Sequence, residues 1–101
     1  MTNILMCRLD ALKGPQTLRY QELRRAMKDA GETRELPDGY AVRFPSDPTL
    51  FVKVAEWITL ERRCCPFLSF SLRFDADPPS IRLELVGREG VKRFLQSQLA
   101  G

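Results

Sequence analysis

The sequence predicts an α+β fold, in which helices cover one face of a small β-sheet. Three segments place apolar side chains at the three- and four-residue spacing of an amphipathic helix, and other segments alternate apolar with polar side chains, as half-buried strands do. The 101-residue chain shows no repeat, low-complexity tract or linker, so we expect one domain spanning residues 1–101. The predicted element order is α-β-α-β-β-α, with about three strands in the sheet.

The first predicted helix spans residues 15–30. Pro15 fits the first turn, where its missing N–H leaves no hydrogen bond unmade, and Gly31 suits the C-terminal cap. The apolar residues inside the helix recur at helical spacing: Leu23, Ala26, Met27 and Ala30. Residues 1–13 fit either a short strand or an ordered arm, and the stretch ELPDG after the helix is typical of a turn.

A strand is predicted at residues 40–45. Tyr40, Val42 and Phe44 occupy alternate positions, and Pro45 cannot donate a further ladder hydrogen bond, so the strand ends there.

The second predicted helix spans residues 48–64. Ser46 or Asp47 can cap its first turn, which also accommodates Pro48. The helix must end close to Pro66, because the residue before a proline is disfavoured from the helical region.

The last third of the chain predicts a hairpin followed by a helix. Strands are expected at 67–75 and 80–86, joined by the turn DADPPS, and an amphipathic helix is expected at 88–99 after Gly87. A right-handed crossover through the second helix would add the earlier strand to the same sheet. An unpaired edge of so small a sheet leads us to expect a homodimer.

The composition is that of an ordinary globular protein, with 44% apolar residues and a formal charge of +3. No apolar run approaches the roughly 20 residues that a membrane helix needs, and the N-terminus meets charge too early for a secretory signal. We therefore expect a cytoplasmic protein with reduced thiols and no membrane partner. Acidic residues interrupt the basic cluster of the first helix and no aromatic side chains interleave with it, so nucleic-acid binding is not expected.

Most of the chemistry of the chain lies in the segment LERRCCPFLSF, residues 60–70. The chain has three cysteines and no histidine, and two of the cysteines are adjacent here. On a helical wheel of residues 50–65, Glu61 falls near the middle of the apolar face, with Cys64 and Cys65 on either side of its direction.

A carboxylate aimed at a core is unfavourable unless it is paired or hydrogen-bonded, so Glu61 requires an explanation. Two interpretations stay open. In the first, the C-terminal end of the helix extends beyond the core, and Glu61 reaches water or an arginine such as Arg82. In the second, Glu61 lines a polar pocket together with Trp57, Cys64 and Cys65.

Three uses for adjacent thiols compete. Cysteine packs as a small hydrophobe, so both side chains can simply be buried in an interaction module. A disulfide between neighbours would be strained and labile, which suits a redox sensor or a thiol catalyst. Soft sulfur ligands select ions such as copper(I), mercury(II) or arsenic(III). Zinc is less favoured, because a structural zinc site normally takes four ligands and Glu61 or Asp10 would have to complete this one.

The electrostatic surroundings do not select one use. Arg62 and Arg63 favour a thiolate, whereas the negative end of the helix dipole opposes it. The absence of histidine removes the usual general base, so enzyme catalysis is not expected. Cys7 is either incidental to the packing of the N-terminal arm or is brought by that arm close to Cys64 or Cys65.

Four segments, MCRLDAL, ELPDGYAVRFP, EWITLERRCCPFLSFSL and LVGREGVKRFL, together resemble small bacterial proteins that carry a Glu-Arg-x-Cys-Cys-Pro-Phe motif. The resemblance covers most of the chain and implies no particular activity. Position by position, it singles out Cys7, Trp57, Glu61, Cys64, Cys65, Pro66 and Phe67. The adjacent cysteines also resemble the thiol pairs of bacterial mercury-transport proteins, which are membrane proteins and match only in the pair.

We therefore expect a small cytoplasmic protein that binds a soft metal or metalloid ion as a sensor, scavenger or carrier. Cys64 and Cys65 are the predicted primary ligands, with Cys7 as a third. The predicted supporting residues are Glu61, Trp57 and Phe67. The alternatives are a thiol-based redox sensor or catalyst, and an interaction module with structurally buried cysteines.

Overall fold

The structure, a computed structural model, describes residues 12–87. These residues form two helices and four strands in the order α1-β1-β2-α2-β3-β4. Their bounds are α1 Pro15–Ala30, β1 Glu32–Leu36, β2 Gly39–Phe44, α2 Pro48–Cys64, β3 Ser69–Ala76 and β4 Pro79–Val86. The described part of the chain is thus α+β, as the sequence predicts.

The four strands form one antiparallel sheet in the order β1-β2-β4-β3. The hairpin of β3 and β4 is present as predicted, and β2 pairs with the other side of β4. Along one row of the sheet, Val42 of β2 faces Leu83 of β4, which in turn faces Leu72 of β3. This row extends the core face of the sheet from β2 to β3.

The helices pack on the apolar face of the sheet and against each other. Two aromatic pairs fix α2 over β3: Phe51 stacks on Phe74 with ring centroids 4.3 Å apart, and Trp57 meets the edge of Phe70 at 6.0 Å. On the opposite face, the neighbouring row consists of Arg43, Arg82 and Arg73. The two faces therefore follow from the two-residue side-chain period of the strands.

The sheet has four strands where about three are predicted, because β1 is a further strand that the sequence pattern does not reveal. Its residues ETREL are mostly exposed, since β1 is an edge strand beside β2, and an exposed edge strand shows no apolar alternation. The predicted turn ELPDG is correspondingly shorter, with Glu35 and Leu36 in β1 and only Pro37 and Asp38 in the turn. Gly39 starts β2, where a Cβ atom would lie 1.9 Å from the Leu85 carbonyl oxygen.

The other element bounds within residues 12–87 agree with the predictions to within two residues. The N-cap of α2 is Asp47, whose side chain accepts a hydrogen bond from the Thr49 N–H at 2.9 Å. Gly31 follows α1 in extended backbone, so close packing explains this glycine: an added Cβ would lie 2.6 Å from Cγ1 of Val42. The helix predicted at 88–99 lies outside the described residues, as does most of the arm 1–13.

Neither helix of the described region combines the length and the apolar character that crossing a bilayer requires. The predicted homodimer stays a prediction. The two edges of the sheet are β1 and β3.

Candidate functional site

The last turn of α2 carries a carboxylate and two sulfurs into the interior. Cys64 and Cys65 are both 0% exposed, and Glu61 is 7% exposed. The N–H of Cys65 donates to the carbonyl oxygen of Glu61 at 2.7 Å, so the helical hydrogen bonding continues to the cap residue. Because Pro66 follows, Cys65 leaves the helical conformation and the chain turns toward β3.

Glu61 is held by a tyrosine of the other helix. Oε1 of Glu61 accepts a hydrogen bond from the Tyr20 hydroxyl at 2.5 Å. The interpretation in which Glu61 reaches water or Arg82 is therefore wrong, and Arg82 instead donates to Glu84 at 2.6 Å. The end of α2 therefore lies within the core, where Glu61 and Cys64 are buried and Glu61 meets Tyr20 of α1.

Burial sets the protonation behaviour of this pair. It raises the pKa of Glu61, against the Tyr20 hydrogen bond and the positive charge of Arg24, which both lower it. Burial also raises the pKa of Tyr20, and the neighbouring Glu61 charge raises it further. The hydroxyl therefore stays a proton donor, and the carboxylate is a stronger base than an exposed glutamate.

The second oxygen of Glu61 faces a sulfur. Sγ of Cys65 lies 3.5 Å from Oε2 of Glu61, a separation at which a reduced thiol would donate a hydrogen bond to the carboxylate. Cys65 is disulfide-bonded in this structure, whereas Cys64 carries a thiol. The two neighbours are therefore not joined to each other. Cys7 lies outside the described residues, and so does its predicted approach to Cys64 or Cys65.

A cavity of about 500 Å³ opens beside this cluster, between α1 and the sheet. Trp57, Glu61 and Tyr20 contribute to its wall, whereas Cys64 and Cys65 do not. The predicted pocket thus contains two of its four predicted residues, with the sulfurs packed behind Glu61. Within the described range, Nε1 of Trp57 is buried without a hydrogen-bond partner.

Tyr20 is the functional residue that the sequence interpretation omitted. It lies three residues before Leu23 and seven before Met27, so it belongs to the same buried stripe of α1. A tyrosine on an apolar stripe requires a partner for its hydroxyl, and this signal could have matched it with the unexplained Glu61. Phe67, predicted as a supporting residue, is half-buried and packs against the core.

No group of three or more histidine, cysteine, aspartate or glutamate side chains within residues 12–87 is arranged to hold a metal ion. The predicted third ligand, Cys7, lies outside that range. Comparisons of the chain with family models, with curated proteins and with solved structures found no match.

Proposed function

We propose that the protein is a thiol-based redox protein whose reactive sulfur is that of Cys65. The observation that carries this proposal is the position of disulfide-bonded Cys65 at 3.5 Å from the buried Glu61 carboxylate, beside a thiol at Cys64. Packing alone would favour an apolar neighbour, because a buried carboxylate loses its hydration. A base held against a sulfur is instead the arrangement that thiol chemistry requires.

The proposed second sulfur of the disulfide is Cys7. The chain has three cysteines, and Cys64 is not bonded to Cys65. The pairing rests on this count, since Cys7 lies outside the described residues. It corresponds to the predicted arm that brings Cys7 to the end of α2.

Oxidation by a peroxide follows from the position of Glu61. In the reduced protein Oε2 of Glu61 accepts the Cys65 thiol proton, and the thiolate attacks one peroxide oxygen. The O–O bond breaks, a sulfenic acid forms, and the second oxygen leaves as water with the proton from Glu61. The Cys7 thiol then attacks the sulfenic sulfur, so that the S–S bond forms and a second water leaves.

The burial of Cys65 limits the rate of this reaction. A sulfur with no exposed surface meets peroxide only when the surrounding structure opens locally. We therefore assign the protein a sensing role, in which the ratio of oxidised to reduced chain is the signal, rather than rapid peroxide removal.

Peptide mapping of the protein purified without reductant tests the pairing. Free thiols are alkylated under denaturing conditions, and we expect a disulfide-linked peptide pair containing Cys7 and Cys65, with Cys64 alkylated. Cys65→Ser and Cys7→Ser should abolish the linked pair, and Cys64→Ser is the matched control that should retain it. Alkylation of all three cysteines after peroxide treatment would exclude the proposal.

Glu61→Gln tests the role of the carboxylate as base. The amide keeps the size of the side chain and still accepts from Tyr20, but it no longer takes a thiol proton. We expect slower conversion of reduced protein to the disulfide form, by about 10-fold or more for the loss of a general base. An unchanged oxidation rate would remove Glu61 from the mechanism while leaving the disulfide itself in place.

A second candidate is capture of a soft metal or metalloid ion by the reduced protein. It is favoured by the adjacent sulfurs of Cys64 and Cys65 and by the Glu61 oxygen 3.5 Å from one of them. Cys7 would supply a third sulfur. Copper(I), mercury(II) and arsenic(III) suit such a donor set better than zinc.

Anaerobic titration of the reduced protein separates the two candidates. Copper(I), mercury(II), arsenic(III) and zinc(II) are added separately, and bound ions are counted by native mass spectrometry. Metal capture predicts one ion per chain with a preference among the four, lost in both Cys64→Ser and Cys65→Ser. Equal binding of mercury alone to all three Cys→Ser variants would indicate simple thiol reactivity and leave the redox proposal.

A further inference from the structure

The cavity between α1 and the sheet has the size and lining of a small-molecule site. Its volume of about 500 Å³ lies within the range of organic ligand pockets, roughly 300–1,000 Å³. Its apolar wall comes from β2 and β4. The side chains of this wall are Val42, Phe44, Leu83 and Leu85.

Trp57 contributes apolar surface to this cavity rather than a hydrogen bond. The side chain is 6% exposed and lines the cavity. Its Nε1 atom is buried without a hydrogen-bond partner within the described residues and has no surface that an atom in the cavity could reach. The indole therefore extends the apolar wall of β2 and β4.

The positive and negative side chains around the cavity lie in different places. Three cationic side chains of α1, Arg24, Arg25 and Lys28, contribute to its lining, and Arg25 and Lys28 are exposed. The carboxylate of Glu61 is buried in the same wall. An anionic ligand group is therefore favoured beside the exposed cations of α1 and disfavoured beside Glu61.

We propose that this cavity binds a small organic carboxylate whose apolar body lies against β2 and β4. The acid group lies at the cations of α1. The inference does not depend on the redox proposal, because neither cysteine of α2 lines the cavity.

Two probes of one shape test the proposal by isothermal titration calorimetry with the full-length protein. They are 4-phenylbutanoate and its neutral amide. We expect the acid to bind about 2- to 5-fold tighter than the amide, and more salt should reduce that difference.

One variant assigns the charged contact. Arg25→Gln should remove most of the preference for the acid over the amide. Arg34→Gln, an exposed arginine on β1 that does not line the cavity, is the matched charge control and should leave that preference unchanged.

The proposal is overturned if 4-phenylbutanoate gives no saturable heat at millimolar concentration with folded wild-type protein. It is equally overturned if acid and amide bind alike, or if Arg25→Gln and Arg34→Gln change the preference equally. Circular dichroism of each variant shows whether it is folded before binding is measured.

Discussion

Two carboxylates of α2 hold that helix against α1, and they do so in opposite surroundings. Glu56 accepts two hydrogen bonds of 2.8 Å from the guanidinium of Arg19, where both side chains are partly exposed. Glu61 accepts one hydrogen bond of 2.5 Å from Tyr20, where both are buried. Because Arg19 and Tyr20 are consecutive, one turn of α1 contacts both glutamates. The Arg19–Glu56 pair is called the surface clamp below, and the Tyr20–Glu61 pair the buried clamp.

The difference between the clamps is visible in the protonation of the two glutamates. The Arg19 hydrogen bonds hold the pKa of Glu56 below its usual value, whereas burial raises the pKa of Glu61. The surface ion pair thus favours the charged form of Glu56. Burial beside Tyr20 instead favours the uptake of a proton by Glu61. This is why the candidate chemistry lies at the buried clamp, next to the Cys65 sulfur.

The largest expected effect comes from breaking the buried clamp with Tyr20→Phe. The variant leaves Glu61 buried without its donor, so we expect the free energy of unfolding at pH 7 to fall by about 1–3 kcal/mol. The loss should become smaller as the pH is lowered, because Glu61 takes up a proton and its desolvation is relieved. Urea denaturation at pH 7 and at a series of lower pH values measures it.

The other tyrosine of the chain provides the control. Tyr40 is also buried, but its hydroxyl makes no hydrogen bond to a side chain or backbone group of residues 12–87. Tyr40→Phe should therefore change stability by less than Tyr20→Phe. Equal losses in the two variants would contradict a clamp at Glu61.

The next effect is on the pH dependence of stability and tests Glu61 directly. A glutamate whose folded pKa is raised stabilises the protein below its unfolded value of about 4.3, and this contribution is lost as pH rises through the folded pKa. Each unit of pKa difference corresponds to about 1.4 kcal/mol. Glu61→Gln should therefore flatten the decline in stability between about pH 4.3 and neutrality. Thermal unfolding followed across this range measures the slope, and an unchanged slope would exclude a raised pKa.

The sequence predicted both helices of the described region to the residue and three of its four strands. Each of these elements buries one face, so its apolar residues recur at the spacing of a helix or a strand. The fourth strand, β1, was missed for a physical reason. It lies at the edge of the sheet and is held by backbone hydrogen bonds to β2, which leave no pattern in its side chains.

The candidate site was predictable only in part. The helical wheel of α2 placed Glu61 on the apolar face, and the Glu61 side chain is buried in the structure. It could not identify Tyr20 as the partner, because the approach of α1 depends on packing between segments distant in sequence. The sequence did not predict the cavity either, because its walls come from elements that are distant in sequence: α1, both central strands and α2.

The surface clamp should contribute less than the buried one, and its pH dependence should have the opposite sign. The lowered pKa of Glu56 gives a contribution that is present above the unfolded value of about 4.3 and lost as pH falls through the folded pKa. Glu56→Gln should therefore lower stability at pH 7 by less than Tyr20→Phe does, and its effect should vanish in acid. Urea denaturation at pH 7 and pH 3 checks both points, and a larger loss at pH 3 would contradict the ion pair.

The smallest expected effect is the response of the two clamps to salt. Two double-mutant cycles isolate the pairs: Arg19→Gln with Glu56→Gln, and Tyr20→Phe with Glu61→Gln. The cycle is needed for Arg19 because its guanidinium also binds Glu22 at 2.6 Å. Raising NaCl from about 0.1 M to 1 M shortens the Debye length from about 10 Å to 3 Å, so the coupling of the partly exposed pair should fall. The buried pair excludes the ions that would screen it, and its coupling should stay constant. If both couplings fell by the same fraction, solvent would reach the Tyr20–Glu61 contact, and Glu61 would not have the greater basicity beside Cys65 that burial provides.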